Sequence, residues 1–264
     1  MDPRETYRKR RGGGGSHGTD YEIHLSLFFL LYLFIHNINN FRISIGNEDA
    51  HPFDDIVYER ERKKKKNTFL LQAKHFLCAG TLSFSDFDTK GRLDIGKHLN
   101  GFQRIKIANQ IENIQNVIIC TNSEFNIENI NQTNEEEIIK LRRDEENHEG
   151  LPIFYIPDSQ FYRIENMPRA FRNGINENDF QTFLNTCLLS TIRDENLIEQ
   201  IHNLITDVFE NRIVLINCAT ITRLFFNDCI KKYINSTEDE VPYLENTDLD
   251  NYIDEFIGHL NTNT

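Results

Sequence analysis

The chain has 264 residues, enough for one large domain or for one domain with an appendage. Its formal net charge of −12 excludes a constitutively basic nucleic-acid binder, so any contact with phosphate must come from local patches. The cysteines are scattered, and no two have the spacing of metal ligands. They predict buried thiols in a reducing compartment, and so an intracellular protein, cytoplasmic or nuclear and not secreted (Cys78, Cys120, Cys187, Cys218 and Cys229).

The first 18 residues combine Arg8–Arg11 with a glycine run and are expected to form a disordered arm. The basic cluster fits a nuclear-import signal, a tail that touches phosphate, or a solvated terminus. The apolar run Ile23–Ile35 resembles a signal peptide only superficially, because a glycine-rich spacer precedes it and no small-residue cleavage site follows. It is also too short to span a bilayer. We expect a buried helix from Thr19 or Asp20 to Ile35 and no membrane partner.

The predicted helix and the segments after it contain a glutamate, a strand and a hairpin that bear on function. Glu22 would lie in the first helical turn, either as a simple helix charge or as part of a site. Phe41–Ile45 alternates in polarity and predicts a strand. Two short apolar segments with a polar connection then predict a β-hairpin from Pro52 to His75. Its tip carries a lysine run that is either solvated or in contact with a phosphodiester backbone (Lys63, Lys64, Lys65 and Lys66).

The ends of the hairpin strands carry the candidate chemistry. Asp54 and Asp55 begin the first strand, and the second strand ends in Gln72-Ala73-Lys74. In an extended chain, residues two apart face the same way, so Gln72 and Lys74 should project together toward one of the two aspartates. A carboxylate, an amide oxygen and an ammonium would then converge. Such a group can hold a divalent cation and activate a water beside it.

The remaining segments predict a mixed α/β sheet flanked by helices, followed by an all-helical C-terminal appendage. We expect a helix near 101–111, an inner strand at Val117–Cys120, an acidic loop over 124–149 and a strand at Ile153–Ile156. Helical spacing then predicts two helices within 179–209, separated by 194–196, and further helices over 212–233 and 249–260. The expected domain limits are 1–18 for the arm, 19–165 for the α/β domain and 176–260 for the appendage.

The candidate residues form an ordered pattern: a helix glutamate, an aspartate that enters a strand, and Gln-x-Lys leaving the next strand (Glu22, Asp54 or Asp55, Gln72, Lys74). This pattern resembles the PD-(D/E)xK, or restriction-endonuclease-like, superfamily. It is most similar to the Mrr-like branch, in which glutamine replaces the second acidic residue.

Two short sequence segments extend the resemblance, Gly18-Thr-Asp-Tyr-Glu22 and Phe69-Leu-Leu-Gln-Ala-Lys74-His75. They are similar to a group of largely insect proteins in which a nuclease-like segment precedes ankyrin repeats or a nucleotide-binding module. The similarity continues past Thr121-Asn122 into the C-terminal helices and so covers most of the chain. The sequence itself contains neither ankyrin repeats nor a Walker-type loop.

The resemblance implies a restriction-endonuclease-like sheet and metal-dependent hydrolysis of nucleic acid, with DNA ahead of RNA as the substrate. Mg²⁺ or Mn²⁺ would be held by an aspartate, the Gln72 side-chain oxygen and the Ala73 carbonyl. Asp55 is favoured because apolar residues follow it directly, as in many relatives, and Asp54 stays open. Lys74 would orient the attacking water or neutralise the transition state. Glu22 would reach the site as an outer ligand or a ligand of a second metal, and it gains importance because Gln72 is neutral.

Two other hypotheses stay open. The chain could be an inactive nuclease-like module that binds nucleic acid, or a protein partner through its C-terminal helices and the acidic loop over Glu135–Glu149. It could also be the regulatory N-terminal part of a larger sensor or defence protein.

Overall fold

A seven-stranded mixed sheet forms the centre of the fold. The structure is a computed structural model that describes residues 16–62, 64–88, 90–108, 111–130, 139–145, 151–172, 174–209, 219–236 and 243–262. In chain order the strands are β1 Phe41–Ile45, β2 Ile56–Arg62, β3 Lys65–Lys74, β4 Thr81–Leu82, β5 Ile114–Thr121, β6 Glu124–Phe125, β7 Lys140–Arg143, β8 Gln160–Asn166 and β9 Cys187–Thr191. The order in the sheet is β1-β2-β3-β5-β9-β8-β7, and β4 pairs with β6 apart from it.

Helices lie before, between and after the strands. They are α1 Ser16–Ile35, α2 Phe84–Phe87, α3 Ile95–Ala108, α4 Ile127–Ile130, α5 Glu177–Thr186, α6 Asp194–Phe209, α7 Ala219–Asn235 and α8 Asn246–Thr262. Short 3-10 helices span Glu48–Ala50, Pro152–Tyr155 and Arg169–Arg172. Among these elements, β3, β5 and β9 run parallel, so their carboxyl ends meet at one edge of the sheet.

Two hydrophobic cores cover the two faces of the sheet. Helix α1 is apolar along most of its length and packs against Leu71 and Ile118 on one face, where α6, α7 and α8 enclose it. Residues of α3 and α5 pack on the other face against Leu70 and Val117. Since neighbours along a strand point to opposite faces, the residues of β3 after its irregularity at Thr68 and Phe69 alternate between the two helix layers.

The outer edge of the sheet at β1 is paired with a later part of the chain. Ile43 and Leu244 exchange two main-chain hydrogen bonds, with N to O distances of 2.9 and 2.7 Å. Arg42 Nε also lies 3.0 Å from Glu245 Oε1, beside that pair. These contacts fix the segment before α8 against the strand that follows α1.

The expected mixed α/β sheet flanked by helices is confirmed. The strand at Phe41–Ile45 and the hairpin of β2 and β3 are confirmed as well. Val117–Cys120 lies within β5, an inner strand between β3 and β9, as predicted. The lysine-rich tip of the hairpin is a tight turn in which Lys64 has a positive φ of 63°.

Several local predictions are corrected. Helix α1 begins at Ser16, inside the expected arm, of which 1–15 lie outside the described residues. The segment at Ile153–Ile156 is largely a 3-10 helix, because Pro152 starts it and removes a main-chain donor. The helix predicted near 101–111 spans Ile95–Ala108. Cys78 is exposed, whereas three other cysteines are buried (Cys120, Cys187, Cys229), and Cys218 lies outside the described residues.

The C-terminal region also contributes to the sheet. Cys187–Thr191 forms β9 between β5 and β8, so the region after residue 176 is not entirely helical, and the sheet crosses the expected limit between 165 and 176. All five residues of β9 are buried. A fully buried strand shows no alternation, so its apolar residues continued the helical spacing of α5 in the sequence. The remaining predicted helices correspond to α6, α7 and α8, with 194–196 starting α6, and the part of the predicted 212–233 helix before Ala219 lies outside the described residues.

A buried polar cluster joins α1, α6 and α7. His24 Nε2 lies 2.8 Å from Arg223 Nη1 and 3.2 Å from Asn227 Nδ2, and Arg223 Nε donates to His202 Nε2 at 3.2 Å. Burial, with the Arg223 charge as the next cause, lowers the pKa of His24 to about 4. His24 therefore accepts hydrogen bonds as a neutral ring.

Acidification is expected to weaken the fold through His24. Its folded pKa of about 4 lies below the usual 6.5, so its contribution is complete above pH 6.5 and is lost as pH falls toward 4. The loss amounts to about 3 kcal/mol at the lower limit. Urea unfolding of the wild type and of His24→Gln, between pH 7 and pH 4, measures it. The variant should show a flatter pH dependence, and equal slopes in both proteins would contradict this assignment.

Candidate functional site

The hairpin register brings Asp55 to Gln72. Ile56 pairs with Leu71, so the residue before β2 lies opposite Gln72. The Oδ2 atom of Asp55 accepts a hydrogen bond from the Ala73 main-chain N at 2.7 Å and another from Gln72 Nε2. Gln72 Nε2 also donates to the Ala73 carbonyl at 3.2 Å. Asp55 is therefore the aspartate that faces the Gln-x-Lys segment.

The Asp54 side chain contacts His51 instead of Gln72. Its side chain is fully buried, and Oδ1 lies 3.1 Å from His51 Nδ1. Its main-chain carbonyl accepts from Asn47 N at 2.9 Å, which fixes the loop before β2. Asp54 thus holds the loop that leads into β2, while Asp55 places its carboxylate beside Gln72.

The electrostatics of Asp55 show which other charges lie close to it. Burial raises its pKa well above the usual range, and the carboxylates of Glu22 and Asp54 raise it further. The Ala73 N–H and the Lys74 ammonium oppose these effects. Glu22 on α1 and Lys74 at the end of β3 therefore act on the same carboxylate. Of the sequence-predicted residues, the glutamate, both aspartates, the glutamine and this lysine are gathered in one region.

The lysine run of the hairpin tip lies at the other end of β3. That strand has ten residues, so Lys65 and Lys74 stand about 30 Å apart. Lys66 Nζ pairs with Glu59 Oε1 at 2.6 Å, and Lys64 is exposed at the turn. Lys63 lies outside the described residues. Lys64, Lys65 and Lys66 lie too far from Lys74 to contact the same phosphate.

The ligand types around Asp55 suit a hard divalent cation, but the orientation of the Gln72 amide does not present its oxygen to Asp55. The Asp55 carboxylate, the Gln72 side-chain oxygen and the Ala73 carbonyl are ligand types that Mg²⁺ accepts. The Gln72 amide nitrogen lies against both Asp55 Oδ2 and Ala73 O, so a positively polarised group already sits between two of these oxygens. In the described part of the chain, no group of three or more His, Cys, Asp or Glu could hold a metal ion. Any cation here would depend on the amide and main-chain oxygens.

Helix α3 supports the loop that carries the aspartates. A Cβ atom added to Gly101 would overlap the Pro52 ring, at 2.6 Å from its Cγ and closer still to its Cδ. Only glycine lets the helix approach Pro52 this closely. The position of α3 is therefore coupled to the chain that leads into Asp54 and Asp55.

Gly101→Ala is expected to lower the free energy of unfolding by about 1–3 kcal/mol, because the helix and the Pro52 loop must separate. In an open helical position the same change stabilises by about 0.5–1 kcal/mol. Gly258 in α8 provides the matched control, since a Cβ there meets nothing within 4 Å. Denaturant unfolding of the two variants should give shifts of opposite sign. Stabilisation by both would contradict the close approach.

Three histidines beside the site were not assigned from the sequence. His51 contacts Asp54, and His75 Nε2 lies 2.9 Å from Asp194 Oδ2 at the start of α6. Burial lowers the pKa of His98 on α3 to about 4, and the charges of Lys74 and Lys97 lower it further. The position of His75 directly after Lys74 in the sequence could have indicated that it lies beside the site. The other two depend on packing between elements.

Comparisons with known proteins give limited similarity. No protein-family model matches the chain, and no curated protein does either. Two solved structures of the Acinetobacter baumannii Cap4 SAVED/CARF-domain containing receptor, with the cyclic trinucleotides 2'3'3'-cAAA and 3'3'3'-cAAA, are similar at 14% identity with TM-scores of 0.44 and 0.45. They cover 92% and 93% of this chain, which spans 45% of theirs.

The helices were also compared with the length and apolarity that a bilayer requires. Among the described residues, no helix is long and apolar enough to cross a membrane. Helix α1, the most apolar one, is enclosed by the sheet and by α6, α7 and α8.

Proposed function

We propose that the chain is a metal-dependent nuclease with its reaction centre at Asp55, Gln72, Ala73 and Lys74. The observation that carries the proposal is the contact of one buried carboxylate with both Gln72 and the Ala73 N–H, within reach of the Glu22 and Lys74 charges. The resemblance of this residue pattern to the Mrr-like branch supports the same function.

Each residue of the proposed reaction centre would have its own role in hydrolysis. Asp55, the Gln72 oxygen and the Ala73 carbonyl would hold Mg²⁺ or Mn²⁺, which lowers the pKa of a bound water and stabilises charge on phosphoryl oxygens. Lys74 would place its ammonium against the phosphoryl oxygens as negative charge develops there. Glu22 would accept a hydrogen bond from the attacking water. The water oxygen would form a bond to phosphorus as the water gives a proton to Glu22. The bond from phosphorus to the leaving oxygen would break as that oxygen takes up a proton from solvent.

The test is cleavage of defined duplex and single-stranded DNA and RNA. Purified protein should cleave with Mg²⁺ or Mn²⁺ and stop with EDTA, and excess metal should restore the activity. Duplex DNA is the first substrate to try. Cleavage that persists in EDTA, or no cleavage of any of these polymers with either metal, would overturn the proposal.

A second candidate is a module that binds nucleic acid or a nucleotide without cleaving it. The supporting observation is that Gln72 is neutral and the pKa of Asp55 is raised by its surroundings, which leaves little negative charge to hold a metal. Equilibrium binding at low salt would test it with duplex DNA and with cyclic trinucleotides of the kind bound by the Acinetobacter receptor. Binding without turnover favours this candidate, and metal-dependent turnover removes it.

A further inference from the structure

Two segments of this acidic protein carry positive charges and no negative ones. Helix α3 contains three basic residues and no aspartate or glutamate. The segment 167–176, which includes the 3-10 helix Arg169–Arg172, contains two arginines and no acidic residue. The five basic residues are Lys97, Arg104, Lys106, Arg169 and Arg172. Because the formal net charge of the chain is −12, contact with phosphate requires a local patch of this kind.

Two of the five side chains hold the fold together. Lys106 Nζ pairs with Asp179 Oδ1 at 2.7 Å, which joins α3 to α5. Arg172 Nη2 donates to the Met167 carbonyl at 2.7 Å, and its guanidinium carbon lies 3.9 Å from the centre of the Phe180 ring. Lys106 and Arg172 are therefore occupied by contacts within the protein.

The other three side chains, Lys97, Arg104 and Arg169, are exposed and form no ion pair with another described residue. The acidic residue just before α3, Asp94, caps the helix, since its Oδ1 accepts from the Lys97 main-chain N at 3.1 Å. One acidic residue, Asp88, lines the cavity beside Arg169. The three positive charges are therefore available to a partner outside the chain.

The inner side of α3 contacts the chain that leads into the candidate site. The His98 ring packs beside the Phe53 ring with centroids 5.4 Å apart, and Gly101 approaches the Pro52 ring closely. Pro52 and Phe53 directly precede the two aspartates in the sequence. The opposite, exposed side of α3 therefore flanks the proposed reaction centre.

Arg169 adds to this exposed side from a neighbouring element. A Cβ atom on Gly96 would lie 3.2 Å from Phe171 Cδ1, so the 3-10 helix of Arg169 abuts the start of α3. Lys97 and Arg104 are seven residues apart, nearly two helical turns, and so share one face about 10 Å apart. That distance equals the rise of about three base pairs of duplex DNA, at about 3.4 Å each.

We infer that Lys97, Arg104 and Arg169 contact the phosphates of a nucleic-acid duplex and guide it to the reaction centre. Three cations spread along the outside of two helices do not converge on one small anion. A polymer with phosphates at regular intervals can reach all of them. The guiding role rests on the proposed nuclease function, whereas the binding itself does not.

Equilibrium binding to a short duplex DNA in EDTA tests this surface without cleavage. The triple variant Lys97→Gln, Arg104→Gln, Arg169→Gln should weaken binding about 10- to 100-fold at low salt. The slope of log affinity against log salt should fall by about 2 to 3, because each lost phosphate contact removes about 0.9. The loss should be similar for duplexes of different sequence, since phosphate contacts carry no sequence information.

A second triple variant, Lys64→Gln, Lys65→Gln, Lys232→Gln, removes the same charge from exposed positions on the hairpin tip and α7. It should change the affinity by no more than a few-fold, because charges farther than a Debye length are screened. Thermal unfolding should show that both variants fold like the wild type. Equal weakening in both variants, a larger loss in the second, or no binding of duplex DNA by the wild type at low salt would overturn the inference.

Competition and cleavage complete the test. Poly-glutamate, an acidic polymer without phosphate, should displace the DNA poorly, and displacement as effective as that by unlabelled DNA would point to an acidic protein partner instead. A wild type that cleaves DNA while the first triple variant binds it normally would refute the surface alone. A wild type that binds through this surface and does not cleave with Mg²⁺ or Mn²⁺ would refute only the proposed nuclease function.

Discussion

Asp55→Asn is expected to abolish metal-dependent cleavage and to stabilise the fold. In the proposed set with Gln72 and Ala73, the Asp55 carboxylate supplies the negative charge. Its loss should remove several kcal/mol of transition-state stabilisation, about 1000-fold in rate. In the folded protein its pKa is raised by burial and by Glu22 and Asp54. A carboxyl whose folded pKa is raised stabilises below its unfolded pKa and costs stability as pH rises through the folded value. At neutral pH the neutral amide avoids that cost.

At neutral pH, Asp55→Asn should raise the free energy of unfolding by about 0.5–2 kcal/mol, and each kcal/mol should raise Tm by about 2–4 °C. This stabilisation should disappear near pH 4. Thermal unfolding at pH 7.5 and pH 4, together with single-turnover cleavage, measures both effects. Asp179→Asn is the matched control, since the Lys106 ammonium 2.7 Å from Asp179 lowers the pKa of that carboxyl. It should keep cleavage and lose some stability at neutral pH. An Asp55→Asn protein that cleaves normally would show that this carboxylate is not part of the reaction centre.

Lys74→Met is expected to reduce cleavage by about 100- to 1000-fold and to leave metal binding intact. Methionine keeps much of the length of the side chain and removes the charge that would stabilise the phosphoryl oxygens. Removal of this positive charge lessens the repulsion of a nearby cation, so at a pH where Asp55 is ionised metal affinity should be equal or higher. Calorimetric titration with Mn²⁺ and cleavage rates at saturating metal separate the two quantities.

Lys66→Met controls for the general loss of a lysine from the same strand. Lys66 lies at the opposite end of β3 and pairs with Glu59, so its removal should change cleavage by no more than a few-fold. If the two variants lose activity equally, Lys74 contributes only to the net charge of the strand. Loss of metal binding in Lys74→Met would instead place this lysine in the support of Asp55.

The hairpin and its shared face were predictable, because alternation along a strand needs no knowledge of the rest of the molecule. The sequence could not decide between Asp54 and Asp55, since a shift of one residue moves a side chain to the other face. The register of Ile56 with Leu71 makes that choice. His98 was not predictable at all, because its position relative to Lys74 arises from the packing of α3 on the sheet.

The pairing of Leu244 with Ile43 has a consequence for self-association. An edge strand with free N–H and C=O groups is a template on which other polypeptides can add. Here the main chain around residue 244 caps that template from within the same molecule. A truncated form that lacks the segment around residue 244 would expose the unpaired main-chain groups of β1. Such a form would be prone to oligomerise or precipitate, whatever the state of its reaction centre.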